Sequence, residues 1–340
     1  MKKLSPKQKK YLLKRGRREL RNKKRIRKTR SLRQSTSGLI PQNHSFSFLD
    51  LRTPSKFKLE YEYSEDVIGY INKIKALGRS GQHMNIIMDD IVEIGEGAIS
   101  MLLSVMEELV RAGIVFTGTK PKDKTCKAIL EKSGFFKFVN GKVDESNSNS
   151  KNTILNTGDN NTPQSELAFE IAKSMETIWE QKGRSPSVYS CVFEMMRNSC
   201  DHAFKKDNQI RWHFALSHSD TDNTVKFSFV DNGKGIIKTF TEGILKNFVN
   251  LFQDNVDIIE TAFKNGIDSR TGLSWRGKGL PTIFDNYSDN HIKNLVVISN
   301  NVYIDFDRSI RYKLKNAFSG TYYYWKVDQT CVKECFPIKK

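Results

Sequence analysis

Hydrophobic positions recur along this chain with two periods, and the changes of period mark its elements. In the first half, Phe46–Leu51 alternates weakly, as an edge strand would, and Lys56–Tyr63 alternates charged and apolar residues, as an exposed strand would. Ser64–Leu77 sets Val67, Ile68, Ile71 and Ile74 at helical spacing, and Met84–Met88 reads as a short buried strand. Ala98–Val110 is apolar enough for a buried helix, which Gly113 ends. Ile114–Thr117 is a further strand, and Lys122–Lys132 an amphipathic helix stopped by Gly134. Strands alternating with helices predict an α/β layer fold over about 45–140.

Residues 141–163 are rich in Ser, Asn, Gly and Asp and read as an interdomain linker. A second domain is predicted over 164–336. It opens with helices Ser165–Gln181 and Ser187–Phe204 and continues with strands near 210–217 and 224–230. A polar helical stretch follows at 241–265, then a glycine-rich loop and a helix near 280–286. Strands near 294–298, 302–306 and 321–327 close it. Helices followed by mostly antiparallel strands predict an α+β sandwich.

Charge divides the chain differently. The formal net charge is +18 over 340 residues, yet residues 1–34 hold seventeen Lys/Arg and a single acid, Glu19. Residues 1–36 therefore read as a basic tail, disordered or made helical by a bound polyanion, on a near-neutral body. No run of about 18 apolar residues exists, which predicts no membrane span. No secretory signal is recognisable. The five cysteines, Cys126, Cys191, Cys200, Cys331 and Cys335, are odd in number and form no CxxC pair. That usage suits a reducing, cytoplasmic setting without disulfides or structural zinc.

Three motifs in the second domain carry chemistry. Within Val192–Ala203, Glu194, Asn198 and His202 fall at i, i+4 and i+8, on one helical face. A carboxylate, an amide oxygen and an imidazole there suit a divalent cation and a phosphate chain, although a solvated helix face looks the same. Phe227–Ile236 is an apolar strand ending in Asp231 and then Gly233 and Gly235. Its carboxylate can accept from an exocyclic amine while the glycines let backbone approach a flat base; an Asp-Asn-Gly hairpin turn is the plain alternative. Trp275–Pro281 places Arg276, Gly277, Lys278 and Gly279 before a helix whose first turn suits Pro281. The N–H groups there favour phosphate, and an ordinary flexible loop is again the alternative.

Together the three motifs resemble the GHKL ATPase superfamily, which includes gyrase-type topoisomerases, heat-shock chaperones, histidine kinases and anti-sigma-factor kinases. The resemblance covers about 164–336 and implies a Bergerat fold, ATP and Mg²⁺. It implies that Asn198 ligates Mg²⁺, Asp231 binds the adenine amine, and Gly233 and Gly235 shape the base pocket. Gly277, Lys278 and Gly279 would close over the phosphates, where Lys278 or Arg276 can add charge, with a mobile lid over about 237–274. Glu194 takes the position of the general base, and His202 a phosphate-facing one. Ser319–Tyr324 resembles the superfamily's Gly-Thr-x-Phe strand, placing Thr321 near adenine. Related ATPases often dimerise when closed. Asn85–Val139 resembles a STAS domain, with Gly95-Glu96-Gly97 where that family often carries a phosphorylatable serine. The implied partner of that domain is a protein.

The expected function is therefore an ATP-binding regulatory protein, an ATPase or nucleotide switch. A serine kinase of the anti-sigma type is one alternative. A second is an ATP-gated nucleic-acid-binding protein, with tail 1–34 as its polyanion contact. A classical histidine kinase is disfavoured, because His44 and His83 are the only upstream histidines and neither sits on a helical hairpin.

Overall fold

Residues 97–106, apolar or small apart from Ser100 and Ser104, are buried without exception. In the computed structural model, which describes residues 47–136, 153–158, 162–180, 182–203, 212–219, 221–242, 254–266 and 278–333, this run forms the middle of the architecture. In chain order the first part is β1 (Phe48–Arg52), β2 (Lys56–Phe57), α1 (Ser64–Arg79), β3 (His83–Ile87), β4 (Glu93–Ile94), α2 (Glu96–Arg111), β5 (Phe116–Gly118) and α3 (Lys124–Lys132). Next come β6 (Thr153–Gly158), α4 (Ser165–Lys173), α5 (Glu176–Trp179), α6 (Pro186–Asn198), a π-helical turn at Ser199–Ala203, β7 (Trp212–Ser219) and β8 (Thr224–Asp231). The last part is α7 (Ile236–Glu242), α8 (Asn255–Lys264), α9 (Gly279–Ser288), β9 (Lys293–Asp305) and β10 (Ile310–Val327).

The fold is mixed α/β. Strands β1, β3 and β5 form a parallel sheet in the order β1-β3-β5, and β2 pairs with β4 in parallel. The second sheet, β6-β7-β8-β10-β9, is antiparallel. Its strands alternate apolar side chains between two cores, as a period of two requires. Val225, Phe227 and Phe229 of β8, with Tyr323, Trp325 and Val327 of β10, join a front core with α4, α6, α8 and α9. There the rings of Phe227 and Trp325 stack at 5.0 Å and those of Trp212 and Phe229 at 5.6 Å. Val230, Val296, Ile298, Tyr303 and Tyr322 face the other way, into a back core with α1, α2 and the parallel sheet. Helices α1 and α2 thus serve both sheets, and the described residues from Phe48 onward fall in one compact unit.

Polar contacts fasten this back layer. His213 on β7 meets Glu107 on α2 at 3.1 Å, and the histidine holds the Glu107 carboxyl below its ordinary range. Glu65 accepts hydrogen bonds from the backbone of Lys315 (2.6 Å) and Asn316 (3.3 Å). The Tyr322 hydroxyl presses on α2 so closely that a Cβ at Gly97 would stand 2.2 Å from it.

Several elements differ from the sequence expectation. Within 141–163, residues Thr153–Gly158 form an edge strand beside β7. The Lys56–Tyr63 strand shrinks to two residues, because Ser64 and Tyr63 turn back onto the Glu60 carbonyl (2.9 and 3.0 Å) to start α1. The helix over 165–181 breaks where the Ser174 hydroxyl donates to the Ile171 carbonyl at 2.6 Å. The strands near 294–298 and 302–306 are one strand, β9, interrupted by a bulge. The basic tail over 1–36 and Cys335 lie outside the described residues. Among the described residues, no helix is long and apolar enough to cross a membrane.

The Gly97–Tyr322 contact predicts a measurable pair. Gly97→Ala is expected to lower stability to denaturant by about 1–3 kcal/mol through overpacking. Tyr322→Phe in the same background should recover part of that loss in a double-mutant cycle. Simple additivity of the two changes would contradict the contact.

Candidate functional site

Helix α6 starts where the Ser185 hydroxyl accepts from the Val188 amide at 3.2 Å and Pro186 enters the first turn. Its face of Val188, Cys191, Val192, Met195 and Met196 is buried, leaving Glu194, Arg197 and Asn198 along a half-buried edge. After Asn198 the chain widens into the π-helical turn, a departure that recurs at functional sites. The His202 backbone lies in that turn, and its side chain lies outside the described residues.

Gly279, the first residue of α9, lies directly against this edge. A Cβ there would come 2.7 Å from Glu194 Oε2, 3.1 Å from Asn198 Oδ1 and 3.3 Å from Arg197 Nη2. A larger residue there would displace the ends of these side chains from their positions against α9. Glu194 Oε2 is ion-paired with Arg197 Nη2 at 2.5 Å. Burial raises the Glu194 carboxyl above its ordinary value, Arg197 opposes this, and nearby Asp201 reinforces it. The Asn198 amide sits beside Tyr323, and among the described residues its buried nitrogen has no hydrogen-bond partner of ordinary geometry.

Asp231 ends β8 with only 4% of its surface exposed. Its Oδ1 accepts from the Gly233 amide at 2.7 Å and its Oδ2 from the Ser199 hydroxyl at 3.2 Å. Burial pushes its carboxyl up to about 6, against the hydrogen bonds from Gly233, Ser199 and the Thr321 backbone and the charge of Lys75. Thr321 is its register partner on β10 and Trp212 its partner on β7. Ser199 follows Asn198 in sequence, so the Asp231 cluster adjoins the Glu194–Asn198–Gly279 cluster.

The chain after Asp231 does not form the hairpin that Asn232-Gly233 would suit. It enters α7, and β8 is flanked by β7 and β10. Asn232 instead reaches the back layer, donating to the Ser104 carbonyl (2.9 Å) and accepting from the Ser104 hydroxyl (3.1 Å). The turn is held by two residues outside the sequence motifs. Ser299 Oγ accepts from the Ile236 amide at 2.8 Å, and Asn300 Oδ1 accepts from the Ile237 amide at 2.9 Å. Asn300 Nδ2 also donates to the Lys234 carbonyl at 2.8 Å. Gly235 adopts φ +80° here, and a Cβ would strike Asn300 Oδ1 at 2.6 Å.

Ser299 and Asn300 sit at the bulge between β9 and β10. Opposite them Gly320, at φ +137°, lies so close to the Asp231 carbonyl that a Cβ would stand 2.0 Å from it. The Ser319 hydroxyl donates to the Gly233 carbonyl at 3.3 Å. The signal for this bulge is three consecutive polar residues, Ser299-Asn300-Asn301, inside an otherwise apolar strand. Arg197 and Ser199, which the sequence reading did not single out within the first motif, flank Asn198 directly.

The structure therefore brings together Glu194, Asn198 and Gly279, and beside them Asp231, Gly233, Gly235 and Thr321. Lys278 is exposed at the N-cap of α9. Arg276 and Gly277 lie outside the described residues, as does part of the lid expected over 237–274. Among the described residues, no group of three or more His, Cys, Asp or Glu side chains is placed to hold a metal by itself. The oxygens at the Gly279 contact, from Glu194 and Asn198, are hard donors of the kind Mg²⁺ takes when water and phosphate complete its shell. The chain matches no protein-family model and no curated protein.

The raised Asp231 carboxyl implies a stability effect of known sign. Its folded value of about 6 lies above the ordinary 3.8, so the folded state holds this proton more tightly than the unfolded state. The associated stability is complete at the acid end of that window and is lost as pH rises through it. Asp231→Asn is therefore expected to stabilise the nucleotide-free protein near pH 8 by on the order of 1–2 kcal/mol, read as a higher Tm. The gain should shrink as pH falls below about 6. A Tm difference that does not vary with pH would contradict the buried anion.

Proposed function

We propose that the chain binds Mg-ATP where α6, α9 and the end of β8 meet, and hydrolyses it as a nucleotide-dependent switch. One observation carries this reading. Motifs widely separated in sequence converge: Gly279 rests on Glu194 and Asn198, while Ser199, the next residue, bonds Asp231. The resemblance to GHKL ATPases supports the same roles. Asp231 accepts from the exocyclic amine of adenine with the acceptor capacity its carboxylate keeps beside the bonds from Gly233 and Ser199. Asn198 would hold Mg²⁺, whose chemistry is to neutralise the phosphate chain. Its orphaned amide nitrogen suits a phosphate oxygen.

Glu194 is the base. As the oxygen of a water molecule bonds to the terminal phosphorus and the bond to the bridging oxygen breaks, Glu194 takes the water's proton. ADP and inorganic phosphate leave. Its burial favours this role by making the carboxylate more basic than an exposed one. The STAS-like layer of α1, α2 and the parallel sheet serves as a docking or sensing module, joined to the site through the Ser104–Asn232 hydrogen bonds.

Full-length protein is expected to gain Tm on adding Mg-ATP. It should turn ATP over, and Glu194→Ala should lose about 10²–10⁴-fold in rate while still binding. The assay is run with and without polynucleotide, and labelled phosphate shows whether it reaches water or a protein. No Tm shift with Mg-ATP, or a shift undiminished in Asp231→Asn, would overturn the reading.

A further inference from the structure

Arg197 lies inside the Val192–Ala203 motif without being one of its singled-out residues, yet it stands where that motif meets the start of α9. Its Nη2 lies 2.5 Å from Glu194 Oε2 and 3.3 Å from the point a Gly279 Cβ would occupy. The side chain is 27% exposed, so it can move, whereas Glu194 is 14% exposed. A guanidinium at the amino end of α9 meets the positive end of a helix dipole and is disfavoured unless an anion lies beside it. In the nucleotide-free chain that anion is Glu194.

A terminal phosphate offers more charge and more acceptor oxygens than a carboxylate, and an arginine fork engages either. We propose that Arg197 exchanges partners, leaving Glu194 for the terminal phosphate of a bound nucleoside triphosphate. The exchange frees the Glu194 carboxylate only when a third phosphate is present. A diphosphate leaves the Arg197–Glu194 pair closed. Arg197 thus sets specificity for the triphosphate and positions Glu194 through their shared ion pair. This rests on the nucleotide reading above.

The test compares Kd values for Mg-ATP and Mg-ADP in the full-length protein, with Tm as a check on folding. Arg197→Gln is expected to weaken ATP by about tenfold to a hundredfold while ADP changes by less than about twofold. Arg197→Lys should restore part of the ATP preference. Glu194→Gln removes the competing anion and should tighten ATP severalfold without tightening ADP. This third variant keeps the test decisive if Arg197→Gln does not fold. Equal weakening of both nucleotides in Arg197→Gln, or weaker ATP binding in Glu194→Gln, overturns the exchange and leaves the nucleotide reading standing. A wild-type protein that binds neither nucleotide overturns both.

Discussion

A sheet with apolar side chains on both faces must be covered twice, and this requirement organises the molecule. Front residues such as Phe227, Phe229 and Trp325 need the helices α4, α6, α8 and α9. Back residues such as Val230, Ile298 and Tyr322 need α1 and α2. Because residues 97–106 of α2 are buried all round, the helix needs cover on its far face as well, and it shares the back core with Leu51, Met84 and Ile86 of the parallel sheet. The layers therefore depend on one another in series. Glu107–His213 and Glu65 at the Lys315–Asn316 backbone fix the stacking where burial alone would allow sliding.

The site occupies the place where this regularity is interrupted. The bulge at Ser299-Asn300, with Gly320 opposite, bends the hairpin and turns polar side chains toward the loop after Asp231. Asp231 is held as a buried acid by hydrogen bonds that only partly offset its burial. Such an arrangement costs stability in the absence of a ligand and leaves acceptor capacity for one. Its neighbour Asn232 has the opposite orientation and a structural duty, so two adjacent polar residues of one motif serve different layers.

Much of this was legible from local pattern. Val67, Ile68, Ile71 and Ile74 announced α1, the apolar run from Ala98 announced a buried helix, and the glycine at 279 marked the start of α9. What could not be read was whatever depends on distant residues. The covering of β8 by α2 has no local signature, which is why the sequence suggests two separable regions. The edge strand Thr153–Gly158 was hidden because its polar composition resembles a linker, and its partner β7 lies far along the chain. Among site residues, Glu194, Asn198 and Asp231 stood out by spacing. Ser299, Asn300 and Arg197 did not, because their roles arise from contacts made only after folding.

The register that sets Trp212 opposite Asp231 has a further consequence. Trp212 is fully buried, its indole nitrogen has no hydrogen-bond partner among the described residues, and its ring stacks on Phe229. Trp325 lies in the same wall, stacked on Phe227. In a dry interior the electric field of a nearby charge is weakly screened. Trp212 thus stands where a change in the charge of Asp231 should alter near-ultraviolet dichroism and tryptophan emission without an added label.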